Sequence, residues 1–222
     1  KAVFGMFAKL GLGDSESPSY QNIINGIAGG AMERSYDYSL TEEFSLVYRL
    51  HPLLPDRMAI NGSEVPLLEL VKGAHHYGYR EVALSLSATP TCLLTLQNYP
   101  RAFASLSTTN APDIVFDLGE QDIQATRARG SGSFNDLRRA LHLDAATSFE
   151  DLVAGEGLPT PREKGLAAAL RRTYSSVEDV DALVGLLAEP RMHNSVLGIT
   201  AYLVFALQTQ TRIESDPFFT EW

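Results

Sequence analysis

The chain has 222 residues, of which 45% are hydrophobic, and this is enough for one or two globular domains with a sizeable core. The formal net charge of -9 disfavours nucleic acid as a partner, because phosphate binding requires a basic surface. The single cysteine, Cys92, excludes an internal disulfide and disfavours a cysteine-based metal cluster.

Two stretches near the start of the chain, residues 4–12 and 23–32, are apolar and rich in glycine. The glycines indicate closely packed or irregular backbone, and peripheral contact with a membrane is the alternative interpretation. The longest apolar run, residues 196–207, is too short to span a bilayer, so we predict a buried helix there. The sequence leaves the cellular location open between the cytoplasm and a membrane surface.

A helix is predicted from Ser39 to about His51. Ser39 precedes Glu42 by three positions, which is the spacing of a capping box, and large apolar residues then recur at helical spacing. Pro52 disfavours helical geometry at the residue before it, so the helix should end close to His51.

Tyr48 and His51 lie three residues apart in this helix, and their side chains are therefore expected on one face. An imidazole at the end of a helix can bind a metal or a haem iron, and a phenol one turn earlier can transfer a proton or form a radical. A core histidine beside a core tyrosine is the alternative that spacing alone leaves open.

Helical patterns dominate the rest of the chain. The segment Leu53–Pro66 contains an Asn61-Gly62 turn and is predicted to be a loop with a short hairpin. Residues 79–96 are ambiguous, and residues 155–161 are predicted to form a loop. Further helices are predicted at Pro66–Tyr79, Asp117–Arg127, Ser133–Leu141, Ser148–Val153, Ser176–Glu189 and Gly198–Arg212.

Two clusters of titratable residues have simpler explanations than a functional site. His75 and His76 could bind a metal, but adjacent helical residues diverge by about 100 degrees, which favours surface or packing roles. Glu178, Asp179 and Asp181 resemble paired catalytic carboxylates, but acids in the first turn of a helix are favoured by the helix dipole.

The run from Tyr38 to Asp56, with its Tyr-x-x-His-x-Leu-x-Pro motif, resembles the proximal-histidine segment of the animal haem peroxidase superfamily. More narrowly, it resembles the fatty-acid oxygenase branch, the α-dioxygenases and cyclooxygenases. The resemblance implies that His51 is the axial ligand of the haem iron and that Tyr48 forms the radical that takes hydrogen from the fatty acid. The peroxidase branch typically has arginine at the position of Tyr48, so this tyrosine favours lipid oxygenation.

A second segment, Asp122–Arg138, resembles the Ile-Gln-Arg-x-Arg-Asp-His-Gly-x-x-x-Tyr/Phe-Asn-x-x-Arg signature of the same superfamily. The resemblance implies that Asn135 hydrogen-bonds the second nitrogen of the proximal imidazole, and an axial histidine needs such a partner to fix its tautomer. Arg127 matches the second arginine of the signature and is expected at the haem site. The sequence departs from the signature at Ala125 and at Ala128-Arg129.

The last third of the chain resembles the α-dioxygenases in two motifs. The first is an Asp-x-Leu-Val-Gly-Leu-x-Ala-Glu helix that ends at Glu189. The second is an Arg-x-Glu-x-Asp-x-Phe-Phe-Thr stretch that ends at Thr220. Arg212 begins that stretch and stands where the family keeps an arginine near the substrate carboxylate or a haem propionate. A forked guanidinium suits either anion. Pairing of Arg212 with Glu214 or Asp216 is the alternative.

The distal histidine of this superfamily, which removes a proton from peroxide, lies well upstream of the proximal one. No histidine occurs among the fifty residues before His51. We therefore expect residues 1–222 to be the C-terminal part of a haem peroxidase-like catalytic domain, with the N-terminal portion of the same enzyme as partner.

The resemblance predicts a mainly α-helical fold of the haem peroxidase type and a fatty-acid dioxygenase that uses haem b. In the implied mechanism, peroxide oxidises the haem, the oxidised haem takes an electron and a proton from Tyr48, and the tyrosyl radical abstracts hydrogen from the acyl chain before O₂ adds. Two alternatives stay open: a haem peroxidase without lipid oxygenase activity, in which Tyr48 only packs, and a non-catalytic protein that keeps the fold.

Overall fold

The computed structural model describes residues 40–108, 111–154 and 160–215, so the features predicted at Ser39 and in residues 4–12 and 23–32, and the loop prediction for residues 155–159, lie outside it. The described part is mainly α-helical, as predicted. Its strands are β1 (Arg57–Ile60), β2 (Ser63–Pro66), β3 (Leu106–Thr108) and β4 (Ala111–Phe116). Its helices are α1 (Glu42–Val47), α2 (Leu67–Tyr77), α3 (Tyr79–Ala88), α4 (Leu118–Ala128), α5 (Phe134–Ala140), α6 (Phe149–Val153), α7 (Pro161–Thr173), α8 (Ala182–Ala188) and α9 (Ile199–Ser215).

The chain divides into two compact units. The inserted unit, Arg49–Ala128, contains helices α2 to α4 and two antiparallel strand pairs, β1–β2 and β3–β4. The flanking unit consists of the other described residues, with α1 before the insertion and α5 to α9 after it.

The first strand pair is the predicted hairpin. Ile60 of β1 pairs with Ser63 of β2 across the turn Asn61-Gly62. Asn61 (φ 51°) and Gly62 (φ 77°) both have left-handed backbone, the geometry of a two-residue turn that matches strand twist. Alternate residues of β1 are buried in the core of the inserted unit, which consists of Met58, Ile60, Val65, Leu67, Leu70 and Val82.

Helices α2 and α3 follow the hairpin. α2 begins directly after Pro66, as predicted, but it ends at Tyr77, and Gly78 (φ 83°) separates it from α3. Gly73 departs from helical geometry and kinks α2. α3 forms in the first part of the segment 79–96, which the sequence leaves ambiguous.

The packing of α5 against α8 forms part of the core of the flanking unit. α5 begins with a capping box, in which the Ser133 hydroxyl accepts the Asp136 N–H and the Asp136 carboxylate accepts the Ser133 N–H. Every residue of α8 is buried. A Cβ atom at Gly185 of α8 would lie 2.1 Å from Cγ of Phe134, so glycine is required for the two helices to approach this closely.

The predicted helix Ser176–Glu189 is wrong in its first half. A 3₁₀ turn and α8 take its place, separated by extended backbone at Val180 and Asp181. The Val180 carbonyl accepts a hydrogen bond from the Phe134 N–H at 2.8 Å, and Asp181 pairs with Ser133 in an isolated bridge. These two residues are extended because their backbone pairs with a distant segment and not with the preceding helical turn.

Helix α7 was not predicted, although its local signals are present. Thr160 and Glu163 form a capping box, and Pro161 occupies the first turn, where its missing N–H is not needed. α9 lies in the predicted apolar region and buries Thr200 and Leu203 among other residues. Within the described ranges, no helix is both long and apolar enough to cross a bilayer.

A buried ion pair joins two of the motif residues of the flanking unit. Nη1 of Arg138 lies 2.5 Å from Oε1 of Glu189 and 3.0 Å from the Thr200 hydroxyl. The Thr200 N–H and hydroxyl donate to the Glu189 carboxylate at 3.0 and 2.7 Å. Burial raises the pKa of Glu189, and the hydrogen bonds from Thr200 and the charge of Arg138 oppose that rise. The pair links the end of α8 to α5 and α9.

Gly185→Ala should destabilise the chain by about 1–3 kcal/mol, because the new methyl group would overlap the Phe134 ring. Urea unfolding followed by circular dichroism measures the change. The control is Gly165→Ala in α7, where an added Cβ meets no atom within 4 Å. That control should be stabilising by about 0.5–1 kcal/mol, as expected for alanine in a helix. Equal changes for the two variants would contradict the packing described for Gly185.

Candidate functional site

His51 begins a 3₁₀ turn, His51–Leu53, at the start of the inserted unit. The His51 carbonyl accepts the Leu54 N–H at 3.0 Å. The Leu53 carbonyl accepts the Cys92 N–H at 3.0 Å, which ties the turn to a later segment of the same unit. Pro52 is fully buried, whereas the His51 side chain is 29% exposed. The backbone is therefore anchored while part of the imidazole stays accessible.

A buried carboxylate lies beside this imidazole. Asp122 is on α4 and its side chain is 5% exposed. Its Oδ2 lies 3.5 Å from His51 Nδ1 and accepts the Tyr99 hydroxyl at 3.2 Å, while Oδ1 contacts Arg49 Nη1 at 2.9 Å. A buried anion is costly unless it is paired, and Arg49 and Tyr99 supply the cation and the donor that compensate Asp122.

Aromatic rings set the orientation of the imidazole. Phe103 lies edge-to-face with His51 at 5.5 Å between ring centroids, and Tyr99 does so at 5.8 Å. Both rings belong to a segment with short 3₁₀ turns between α3 and β3. Phe103 also packs against the hydrophobic core of the inserted unit, so the core helps to orient His51.

The arrangement fits an axial haem ligand. Within the described part of the inserted unit, the polar contacts of the His51 ring are all made by Nδ1, which leaves Nε2 for a metal. Metal-binding histidines almost always donate their other ring N–H to a carboxylate, carbonyl or water, and Nδ1 of His51 has the Asp122 carboxylate at 3.5 Å and the Tyr99 oxygen at 3.3 Å. In the described ranges, no cluster of three or more His, Cys, Asp or Glu side chains could hold a metal ion by itself.

The contacts of Asn135 differ from the predicted pairing with His51. Asn135 is fully buried in the flanking unit, where its Nδ2 donates to the Ala146 carbonyl at 2.9 Å and to Glu178 at 3.0 Å. Its Oδ1 accepts the Ala146 N–H at 2.9 Å. The amide is thus occupied in holding the loop after α5. A bond from Asn135 to His51 stays a prediction, and within the inserted unit the Asp122 carboxylate lies beside the His51 ring.

Tyr48 and His51 do not share a helix, and this prediction was wrong. α1 is capped by Thr41, whose hydroxyl accepts the Phe44 N–H, and it ends at Val47. Tyr48 is the C-cap residue. After it, Arg49 and Leu50 lie outside any helix, and His51 begins a separate 3₁₀ turn.

Two of the predicted site residues contact the same aromatic ring in the flanking unit. The Tyr48 ring lies 4.3 Å from the buried Phe44 ring and 6.4 Å from Phe205, and Tyr48 is 50% exposed. The Arg212 guanidinium lies 4.1 Å from the centroid of Phe44, in cation–π contact. The structure therefore gathers Tyr48 and Arg212 around Phe44.

The other candidates have the following surroundings. Arg127 lies on the last turn of α4 and is exposed, and its haem-site role stays a prediction. The alternative partners of Arg212, the Glu214 side chain and Asp216, lie outside the described part.

The rings of His75 and His76 are 3.9 Å apart near the end of α2.

Glu178 and Asp179 lie in the first turn of a short 3₁₀ helix, Val177–Asp179, and Glu178 also makes specific contacts. It forms a two-oxygen ion pair with Arg139 at 2.7 Å, besides its bond to Asn135. The hydrogen bond from Arg139 lowers the pKa of Glu178. Asp181 is buried and accepts the Tyr174 hydroxyl at 2.7 Å, so the two carboxylates serve structural contacts.

Sequence reasoning missed Arg49, Tyr99 and Asp122. Asp122 was visible only as the first residue of a matching signature, and Arg49 as a neighbour of the candidate pair. No local pattern marks Tyr99, because its partners lie on other segments of the chain.

The chain is similar to known proteins over most of its length. The family model for animal haem peroxidases matches residues 7–222. The chain is 29% identical to alpha-dioxygenase 1 of Arabidopsis thaliana, over 93% of this chain and 35% of that protein. It is 31% identical to the alpha-dioxygenase PIOX of Pisum sativum, over 90% of this chain and 34% of that protein.

A solved structure gives the same result. It is that of a tyrosine-to-phenylalanine variant of the Oryza sativa fatty acid alpha-dioxygenase with palmitic acid, and it matches with a TM-score of 0.71 and 30% identity. The match covers 82% of this chain and 33% of that one. The chain spans about a third of the length of the curated relatives it matches. The family match, the fold and the imidazole site agree: the chain belongs to the animal haem peroxidase family.

Proposed function

We propose that this chain is the proximal, haem-binding part of a fatty-acid dioxygenase of the α-dioxygenase type, with haem b as cofactor and His51 as axial ligand. The observation that supports the proposal most strongly is the buried Asp122 carboxylate 3.5 Å from His51 Nδ1. A carboxylate at this distance favours a proton on Nδ1 and a lone pair on Nε2, which is the form that a metal binds.

The relatives support the substrate class. Two of them are named alpha-dioxygenases, and the solved Oryza sativa variant contains palmitic acid. For this protein we propose a fatty acid and O₂ as substrates, peroxide as activator, and the remaining portion of a longer protein as the source of the distal residues. Because the chain covers about a third of these relatives, the activity is proposed for the complete protein.

Haem would supply the oxidising equivalents that peroxide delivers. The chain's own residues would then divide the remaining tasks. His51 would hold the iron through Nε2, and the Asp122 carboxylate, 3.5 Å from Nδ1, would keep the proton on Nδ1, which would make the imidazole a stronger electron donor. Tyr48 would give its phenolic hydrogen, as an electron and a proton, to the oxidised haem, and the phenoxyl radical would take a hydrogen atom from the acyl chain. O₂ would add to the carbon radical, and the peroxyl radical formed would take a hydrogen atom back from Tyr48.

Arg212 is proposed to bind the fatty-acid carboxylate. Its guanidinium and the Tyr48 ring both contact Phe44, so an anionic head group near Arg212 would lie in the same neighbourhood as the proposed radical. Arg127 is retained from the resemblance as a proposed residue of the haem site, and Asn135 as the alternative to Asp122 as the partner of His51.

His51→Ala should weaken haem binding by more than about 100-fold, since it removes the iron ligand itself and not a residue that supports it. Titration of the chain with haem, followed by the Soret absorption, measures the affinity. His75→Ala is the control, because this histidine lies on α2 beside His76. An unchanged spectrum and affinity in His51→Ala would remove the axial assignment.

Asp122→Asn and Asn135→Ala distinguish the two candidate partners of His51. Replacing the carboxylate by a neutral amide should weaken haem binding by about 10-fold. Asn135→Ala should lower the melting temperature, because it leaves both polar groups of the Ala146 backbone without the amide, yet it should leave the haem affinity of the folded protein unchanged. The reverse pattern would favour Asn135 as the partner.

Tyr48→Phe should abolish fatty-acid-dependent O₂ uptake by the complete protein, because the ring and its packing stay while the transferable hydrogen is lost. Haem binding and peroxide-driven oxidation of small phenols should persist. Tyr79→Phe, at an exposed position of α3, is the control and should keep O₂ uptake. Survival of O₂ uptake in Tyr48→Phe would support a peroxidase without lipid oxygenase activity.

A further inference from the structure

The Asp122 carboxylate has distinct partners at its two oxygens. Oδ1 is occupied by Arg49 Nη1 at 2.9 Å. Oδ2 is left to face both the Tyr99 hydroxyl at 3.2 Å and His51 Nδ1 at 3.5 Å. The Tyr99 oxygen is also 3.3 Å from His51 Nδ1, so phenol, imidazole and carboxylate form a closed triangle.

The donors in this triangle can be assigned from chemistry. An ionised carboxylate only accepts, so the Tyr99 hydroxyl donates its single hydrogen to Asp122 Oδ2. The Tyr99 oxygen is then an acceptor toward His51. Both groups near Nδ1, the phenol oxygen and the carboxylate oxygen, present lone pairs to it. A hydrogen on Nδ1 satisfies both, whereas a lone pair on Nδ1 would face the Asp122 anion.

We propose that Tyr99 is a positioning residue that holds Asp122 and His51 in this arrangement and so fixes the imidazole as its Nδ1–H tautomer, with the Nε2 lone pair directed away from the triangle. The inference rests on the proposed function, because it explains how His51 is prepared to bind iron. It differs from the assignment of Asp122 as an acceptor, since it makes the tautomer depend on a phenol that contacts both the imidazole and the carboxylate.

The surroundings of Tyr99 suit this role. Tyr99 follows a 3₁₀ turn and precedes the fully buried Pro100, and its ring lies edge-to-face with Phe103 at 6.3 Å. A Cβ atom at Gly119 would lie 3.5 Å from Tyr99 Cε1, so the ring packs directly against the start of α4. Burial, with the negative charge and hydrogen bond of Asp122, raises the pKa of Tyr99, which keeps the phenol protonated as a donor.

The test is nitrogen NMR of the haem-free full chain labelled with ¹⁵N-histidine at pH 8, where free histidine, with a pKa of about 6.5, is neutral. Long-range proton–nitrogen spectra distinguish the two tautomers, and loss of one signal set in His51→Gln assigns His51 among the five histidines. We expect a single Nδ1–H tautomer in the wild type. In Tyr99→Phe the single-tautomer signature should be lost and the Nε2–H form should appear.

The control is Tyr77→Phe, which removes a hydroxyl that donates to Glu69 elsewhere in the same unit and should leave the His51 signals unchanged. An Nε2–H tautomer in the wild type, or an unchanged His51 spectrum in Tyr99→Phe, overturns the inference. If Tyr99→Phe does not fold, the wild-type protein provides the test. We then expect the His51 Nδ1 proton to be protected from exchange and close to the Tyr99 ring hydrogens. The absence of such a proton overturns the inference.

The assay contains no haem, so it separates the two claims. If haem binding does not depend on His51, the proposed function is wrong, but the tautomer result still holds. In the haem-bound protein, Tyr99→Phe should in addition shift the iron–histidine stretching band measured by resonance Raman spectroscopy, while a band at the wild-type frequency would contradict the positioning role.

Discussion

The inserted unit is organised around one buried negative charge. The Asp122 carboxylate is almost inaccessible to water, and the guanidinium of Arg49 and the hydroxyl of Tyr99 supply its polar partners. These groups come from the beginning, the middle and the end of the unit. Removing one partner of a buried ion pair strongly destabilises a protein, and this constraint holds the three segments in one arrangement. The orientation of His51 is a consequence of it.

The flanking unit uses its motif residues for the same physical purpose. Asn135 is hydrogen-bonded to the Ala146 backbone and to Glu178, and Arg138 is paired with the buried Glu189. Each of these polar groups would be costly to bury alone. Residues of this family signature therefore contribute to the packing of the fold as well as to its chemistry. A residue inside the signature need not contact the iron.

The short segment between the two candidate chemical groups shows how backbone chemistry limits inference from spacing. Tyr48 and His51 are three residues apart, yet the helix ends at Val47 and His51 starts a new 3₁₀ turn. Arg49 and Leu50 between them lie outside any helix. A helical spacing predicts a shared face only when the backbone is helical from one residue to the other.

The sequence by itself determined those features whose partners are close neighbours. The capping box of Ser133 and the Asn61-Gly62 hairpin were predictable because their hydrogen bonds and backbone geometry are local. The family, and with it His51 as the candidate ligand, was also recognisable from motif order. Only the tertiary structure decided that Tyr99, 48 residues from His51, contacts its Nδ1 beside Asp122. Such contacts are selected by burial and charge compensation between distant segments, and no local pattern of residues specifies them.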